Sequence, residues 1–213
     1  GMSNKTFSFS TIENFDNHIS KSISNYEHLH SLIKNVASFF IQNGCRAYDL
    51  GASSGLLVDQ LTELHPSAKI IGIEKEANII KSPNVENCDV IGYQYEKCSF
   101  VSSIFTLQFI AVEDRAGIIE SIFNALNFGG AFIMAEKVYI SSGIAQEVFT
   151  FSNYDYKSRS FTPDQILEKE RDLRRIMKPL TKVQNEQMLK HVGFSTVELF
   201  YQSLNFCAWI AVK

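Results

Sequence analysis

The chain reads as an α/β protein on a doubly wound, mostly parallel sheet of seven strands. A helical segment precedes the sheet, and a helical insertion separates its fifth strand from its last two. Three observations predict this. Apolar, β-branched runs alternate with stretches of helical period from residue 46 to residue 135. A glycine-bearing turn joins the first of these runs to a helix. The last two strand-like runs, 196–201 and 205–212, are close together and pair antiparallel at one edge.

Residues 12–42 carry Ile19, Ile23, Tyr26, Leu29, Ile33, Val36 and Phe40 on one stripe, which predicts a helical segment ended by Asn43-Gly44. The first strand is expected at 46–50 and a helix at 55–64, with Leu56, Leu57, Leu61 and Leu64 on it and Pro66 beyond its end. The second strand covers 69–73, a short helix follows at 77–81 before Pro83, and 85–91 is a weaker third strand. Residues 99–106 form the fourth, central strand. An amphipathic helix spans 113–127, with Ile118, Ile119, Ile122 and Leu126 inward and Gly129-Gly130 as its stop; 131–135 is the fifth strand. Residues 139–180 are far longer than an ordinary connection and are rich in aromatic and charged residues. Thr162 is a plausible N-cap and Pro163 a first-turn proline for a helix running to about Met177. Such an insertion serves as a lid, a substrate wall or a dimer surface on one domain spanning 1–213.

At 213 residues the chain suits one domain with a full core, and 45% apolar with 20% charged residues is ordinary for a soluble globular protein. A net charge of −3 gives no general attraction to nucleic acid, and Lys169, Arg171, Arg174, Arg175 and Lys178 read as a solvated helix face. Cys45, Cys88, Cys98 and Cys207 lack metal-type spacing and read as reduced thiols of a cytoplasmic protein. His28 and His30 sit two apart on a helix and cannot face one metal, so no metal site is expected. No apolar run approaches the length of a membrane span.

The chemistry concentrates in Tyr48-Asp-Leu-Gly-Ala-Ser-Ser-Gly55. A strand ends at Asp49, turns through Gly51 and enters a helix past Gly55. Glu74 follows Gly51 by 23 residues, at the tip of the second strand. A glycine turn lets backbone approach a ligand, and an acid at the next strand's tip accepts both ribose hydroxyls. The spacing is neither a triphosphate-binding loop nor the dinucleotide Gly-x-Gly-x-x-Gly. Asp-x-Gly-x-Ser-x-Gly looks like the first motif of the S-adenosylmethionine (SAM) methyltransferases, where no pyrophosphate has to be held.

With Phe105-Thr-Leu-Gln-Phe109, Asn127-Phe-Gly-Gly-Ala131, Glu136-Lys137 and Leu199-Phe-Tyr-Gln-Ser-Leu-Asn-Phe206, the chain resembles the carboxy-S-adenosylmethionine synthases from about residue 15 to the end. These are a branch of the Rossmann-like class I SAM methyltransferases linked to wobble-uridine modification of tRNA. The family moves a carboxyl group from prephenate onto the methyl carbon of SAM. The resemblance implies that Tyr26 contacts the amino-acid end of the cofactor, and that the backbone of Gly51, Ala52 and Ser53 surrounds its methionine moiety. It further implies that Glu74 and Lys75 replace an Asp-Asn pair at ribose and adenine. Asp49 and Gly55 complete the turn, Tyr93 or Tyr95 can stack on the adenine, and Ile104 and Phe105 flank the ligand.

Two departures stand out. The family's carboxylate-binding arginine falls on Glu170, which is expected to repel a carboxylated ligand, with Arg171 turned about 100° away along the helix. The family's Gly-Asp-Ile adenine motif is absent, with Gly92-Tyr-Gln-Tyr95 nearby. The leading expectation is therefore a SAM-dependent methyltransferase acting on a small-molecule or tRNA-related acceptor, with no dedicated catalytic nucleophile and a preference for SAM over carboxy-SAM. The alternatives are a carboxy-SAM synthase using prephenate and a non-catalytic SAM-binding module. A homodimer is expected, with no membrane partner.

Overall fold

The computed structural model describes residues 15–213, with side chains from residue 19 onward. The first three residues of the expected helical segment, 12–14, lie outside the described residues. That segment is two helices, α1 (Phe15–Ser22) and α2 (Tyr26–Ala37). The break is at Asn25, which adopts a left-handed φ of 60°, a conformation that asparagine tolerates better than most residues. Asn25 Nδ2 and Ser24 Oγ both bond Ser203 Oγ, so the break is anchored to the far end of the sheet.

The sheet begins with β1 (Arg46–Leu50), then α3 (Leu56–Leu64), β2 (Lys69–Glu74), β3 (Val85–Asn87) and β4 (Cys98–Ile104). It continues through α4 (Val112–Ala125), β5 (Leu126–Tyr139), α5 (Gly143–Lys157), α6 (Pro163–Ile176), β6 (Leu180–Thr181), α7 (Lys182–Val192), β7 (Thr196–Ser203) and β8 (Phe206–Val212). The strand order is β3-β2-β1-β4-β5-β8-β7, with the two-residue β6 beside β5. Pairings from β3 through β5 are parallel, and β8 runs antiparallel to both β5 and β7. The main path is the seven-stranded, doubly wound sheet read from the sequence.

Side chains alternate between two cores, as period-2 strands require. In β5, Ala131, Ile133 and Ala135 pack with α2 and α3, while Phe132, Met134 and Val138 pack with α4 and α7. The order reverses between β1 and β4, so the crevice at the carboxyl ends of those strands is where an open α/β sheet binds ligands.

Several boundaries differ from the sequence reading. The expected 77–81 helix is one 3-10 turn, Ala77–Ile79, and the third strand stops at Asn87 because the chain folds into turns around Val90–Tyr93. Helix α4 ends at Ala125, before the glycine pair, and Gly129-Gly130 lies inside β5. Gly129 has φ +80°, and a Cβ on Gly130 would stand 2.9 Å from Asn127 O and 3.0 Å from Ser99 O. The pair therefore serves a tight entry into the sheet rather than a helix stop. The sequence reading missed α7, whose start is a capping box between Thr181 and Gln184. The cap at Thr162 with Pro163 behind it is present, again as a capping box, with Gln165.

Candidate functional site

The turn after β1 is shaped by backbone angles. Gly51, Ser53 and Gly55 have φ of 62°, 56° and 95°. A Cβ on Gly51 would collide with the side chain of Thr106, whose Oγ1 donates to Leu50 O or Ile104 O at 3.2 Å. Ser53 holds its left-handed angle because Glu74 Oε1 accepts from its N–H at 3.0 Å; Glu74 Oε2 accepts from Glu76 N, also at 3.0 Å. Each carboxylate oxygen has a second lone pair, so Glu74 fixes the turn and still has acceptor capacity for a ligand. Asp49 is 4% exposed and accepts from Ser102 Oγ at 2.8 Å. Burial pushes its carboxyl up to about 7, the Ser102 bond opposes that shift, and the Glu74 charge adds to it.

Two recesses meet at this turn, and a third adjoins the larger of them. The largest, about 340 Å³, is lined by Gly51, Ser53, Glu74, Lys75, Ile104 and Phe105 among others, within the range of small-molecule sites. A smaller one at the start of α2 is lined by Tyr26, Asp49, Gly51, Ala52, Ser53 and Ile104. Nine of the expected site residues are thus brought together. Two are not. Gly55 lines neither recess: its backbone packs on Ser82 and Val85, and its role is to let the turn enter α3. Tyr93 lies outside the lining because its ring packs edge-on against Tyr48 and Tyr95 while its hydroxyl donates to Glu86 Oε2 at 2.8 Å.

The sequence reading missed Asp89. It lines the large recess with Cys88, Val90 and Ile91, and its Oδ1 accepts from Ile91 N at 3.0 Å. The strand expected over 85–91 enclosed this acid, which in the structure stands just past the end of β3.

The third recess, about 70 Å³, shares Ile19, Phe105 and Phe109 with the large one. Phe105 sits at the junction with a left-handed φ of 53°, a strained angle for a bulky residue. Lys137, Lys157, Lys169 and Glu170 also line this recess. Helix α6 turns Ile166, Glu170, Leu173 and Met177 inward at helical spacing, and leaves Arg171 exposed. Lys169 is inward as well, so the expected solvated basic face does not include it: its Nζ donates to Ser22 Oγ at 3.0 Å and lies 5.8 Å from the Phe161 ring centre.

Glu170 is 6% exposed, yet it is not an unopposed negative charge. Lys157 Nζ lies 2.5 Å from Oε1, and Arg174 stands 3.0 Å from Oε2 as an ion pair. Burial works against the carboxylate, but Lys157, Lys137 and Arg174 together outweigh it and hold Glu170 below its usual range. This corrects the expectation of repulsion: four cations surround one acid. Burial lowers Lys137 to about 8 and Lys169 to about 7; Lys157 adds to both shifts and Glu170 opposes them.

Gln108 builds the rim. Its backbone N–H donates to Glu136 Oε2 at 3.3 Å, its Oε1 accepts from Lys137 N at 2.7 Å, and its carbonyl accepts from Arg115 Nη2 at 3.3 Å. Burial raises the Glu136 carboxyl to about 8, against the pull of Arg115 and the Gln108 amide.

Among solved structures, a SAM-dependent methyltransferase from Archaeoglobus fulgidus superposes with a TM-score of 0.66 at 13% identity, over 95% of this chain and all of that one. Human N-acetylserotonin methyltransferase, in complex with SAM, gives a TM-score of 0.54 at 14% identity; the chain covers 55% of its length. No protein-family model matches the chain. The fold and the site at the β1–β4 reversal therefore define a SAM-using transferase of the methyltransferase fold. A carboxy-S-adenosyl-L-methionine synthase from Staphylococcus epidermidis is 33% identical over 214 residues, covering 95% of this chain and 94% of its own. The chain belongs to the carboxy-S-adenosyl-L-methionine synthase family. The residues present fit SAM: an acid at the β2 tip, a Gly51–Ser53 turn that lines the cavity and a recess of suitable size. No described helix is long and apolar enough to cross a membrane.

Proposed function

We propose that the chain makes carboxy-SAM, with prephenate as the carboxyl donor, rather than methylating an acceptor. The observation that carries this reading is the cationic recess beside the cofactor cavity, where Lys157 and Arg174 offset Glu170 and Lys137 and Lys169 add further positive charge. A methyl acceptor gives no reason to bury Lys137 and Lys157 with Lys169 beside them; a carboxyl group in transit does. SAM supplies the methyl carbon that receives the carboxyl group. Tyr26, Asp49, Ala52 and the backbone at Gly51 and Ser53 hold its amino-acid end. Glu74 takes the ribose hydroxyls, Lys75 and Asp89 lie at the adenine, and Ile104 and Phe105 form the floor.

In this reading 1–213 is one domain, and residues 139–180 are its lid. Tyr156 Oη donates to Ser20 O at 2.6 Å, and Lys169 reaches Ser22, which closes α5 and α6 over the cavity through α1. Ile144, Val148 and Phe151, which are 72%, 51% and 67% exposed along one side of α5, support a homodimer. Four free thiols and the family resemblance support a cytoplasmic enzyme whose product serves tRNA modification.

The test is to incubate the purified protein with SAM and prephenate and follow the nucleoside by mass spectrometry. A SAM derivative heavier by carbon dioxide, dependent on prephenate, is expected. SAM left intact by prephenate, or converted only to its demethylated product with an acceptor, overturns the reading.

A further inference from the structure

The lysines of the small recess are not equivalent. Lys157 is committed to Glu170, and Lys169 to Ser22 and the Phe161 ring. Lys137 is only 5% exposed and lines the recess, yet its ammonium has no hydrogen-bond partner among the described residues. Its backbone is not free to move: the Lys137 N–H is clamped by Gln108 Oε1 at 2.7 Å, and β8 pairs alongside at Phe206. The side chain is thus held in a recess with apolar walls, drawn toward Glu170 by charge but hydrogen-bonded to neither of its oxygens, which belong to Lys157 and Arg174. An ammonium with open donors among apolar walls is a ready partner for an anion that enters the recess.

The space limits what that anion is. At about 70 Å³ the recess is small beside the 340 Å³ cavity it adjoins, room for a branch of a ligand such as a carboxylate rather than for its body. The rest of the wall is apolar, with Ile23, Leu173, Met177 and Phe206. The recess opens to the large cavity across Ile19, Phe105 and Phe109. Its occupant is therefore a short anionic branch of a ligand whose body lies in the large cavity.

We infer that Lys137 is the cation that receives the carboxylate of carboxy-SAM in this chain, and that Glu170 is a positioning residue, holding Lys157 and Arg174 in ion pairs so that Lys137 keeps its donors open. This rests on the carboxyl-transfer reading and gives its specificity to a residue on β5 rather than on α6. Lys137→Met keeps the bulk of the side chain and removes its charge, while Lys137→Arg keeps the charge.

The measurement is titration calorimetry of SAM and of carboxy-SAM against wild type, Lys137→Met and Lys137→Arg, with thermal melts as a check on folding. Lys137→Gln replaces Lys137→Met if the latter does not fold. The ratio of the two affinities is expected to move at least tenfold toward SAM in Lys137→Met and to stay nearer wild type in Lys137→Arg. A wild-type ratio in Lys137→Met and Lys137→Gln overturns the inference. The two readings fail separately. Synthesis of carboxy-SAM with an unchanged ratio in Lys137→Met sinks only the role of Lys137. A Lys137-dependent ratio in a protein that makes no carboxy-SAM sinks only the carboxyl-transfer reading.

Discussion

Gly51 carries two constraints at once, a positive φ and contact with Thr106. The sequence suggested that a side chain here would fill ligand space; the side chain it first meets is the protein's own. A β-branched residue in the left-handed region costs ~1–3 kcal/mol before any clash. Gly51→Val should therefore lower the melting temperature as well as abolish SAM binding, by melts and calorimetry; wild-type stability with lost binding would mean that the turn relaxes freely. Glu74 was legible because an acid at a strand tip has few structural reasons to be there. Its bonds to Ser53 and Glu76 were not legible, since they depend on the path of two loops. Glu74→Ala should weaken SAM binding by ~1.5–3 kcal/mol. If a SAM analogue lacking the ribose hydroxyls loses as much affinity for the variant as for wild type, Glu74 acts only through the turn. Asp89 escaped notice because strand β3 was read four residues too long, which placed that acid inside a strand rather than beyond its end.

At the scale of elements, helix α6 shows how periodicity finds a face without finding its chemistry. The stripe Ile166, Glu170, Leu173 and Met177 is visible in the sequence, but an acid on it has no meaning until its partners are known. Lys157 comes from α5 and Lys137 from β5, both distant in sequence. The runs Phe105–Phe109 and Glu136-Lys137, quoted separately as family marks, turn out to be one unit joined by Gln108. Glu170→Ala leaves Lys157 buried beside Lys169 without its acid, and loss of one member of a buried pair costs ~3–5 kcal/mol. Urea unfolding should show that loss. A cost below about 1 kcal/mol would mean that water or a shed proton has already relieved Lys157.

Across the whole molecule, four buried groups set an unusual dependence on pH. Asp49 and Glu136 are raised from 3.8 and 4.5 to about 7 and 8, and Lys137 and Lys169 are lowered from 10.5 to about 8 and 7. The acids keep a proton in the folded state that the unfolded chain has lost, so the stability they contribute is complete at low pH and fades as pH rises to about 7–8. The lysines lose a proton in the folded state that the unfolded chain keeps, so their contribution grows from about 7–8 up to 10.5. All four therefore press against the ligand-free fold most strongly near neutrality. The melting-temperature advantage of Lys137→Met over wild type should be largest below pH 8 and shrink toward 10.5. An advantage that is flat or grows across that range would show that burial does not lower the pKa of the Lys137 ammonium.

The charges around Glu170 also restrict how this protein can change over generations. Restoring arginine at position 170 by a single substitution places it against Lys157, Lys137 and Arg174, so the intermediate is worse than either endpoint. Arg174 is one helical turn further on the same helix, and exchanging the two residues keeps an acid within reach of the lysines. Such epistasis is measurable. In urea unfolding, Glu170→Arg with Arg174→Glu should be more stable than the two single effects summed, by ~0.5–3 kcal/mol. Strict additivity would mean that the two sites are independent. With coupling of that size, a lineage that acquires the acid at 170 together with its partner at 174 rarely returns by single steps.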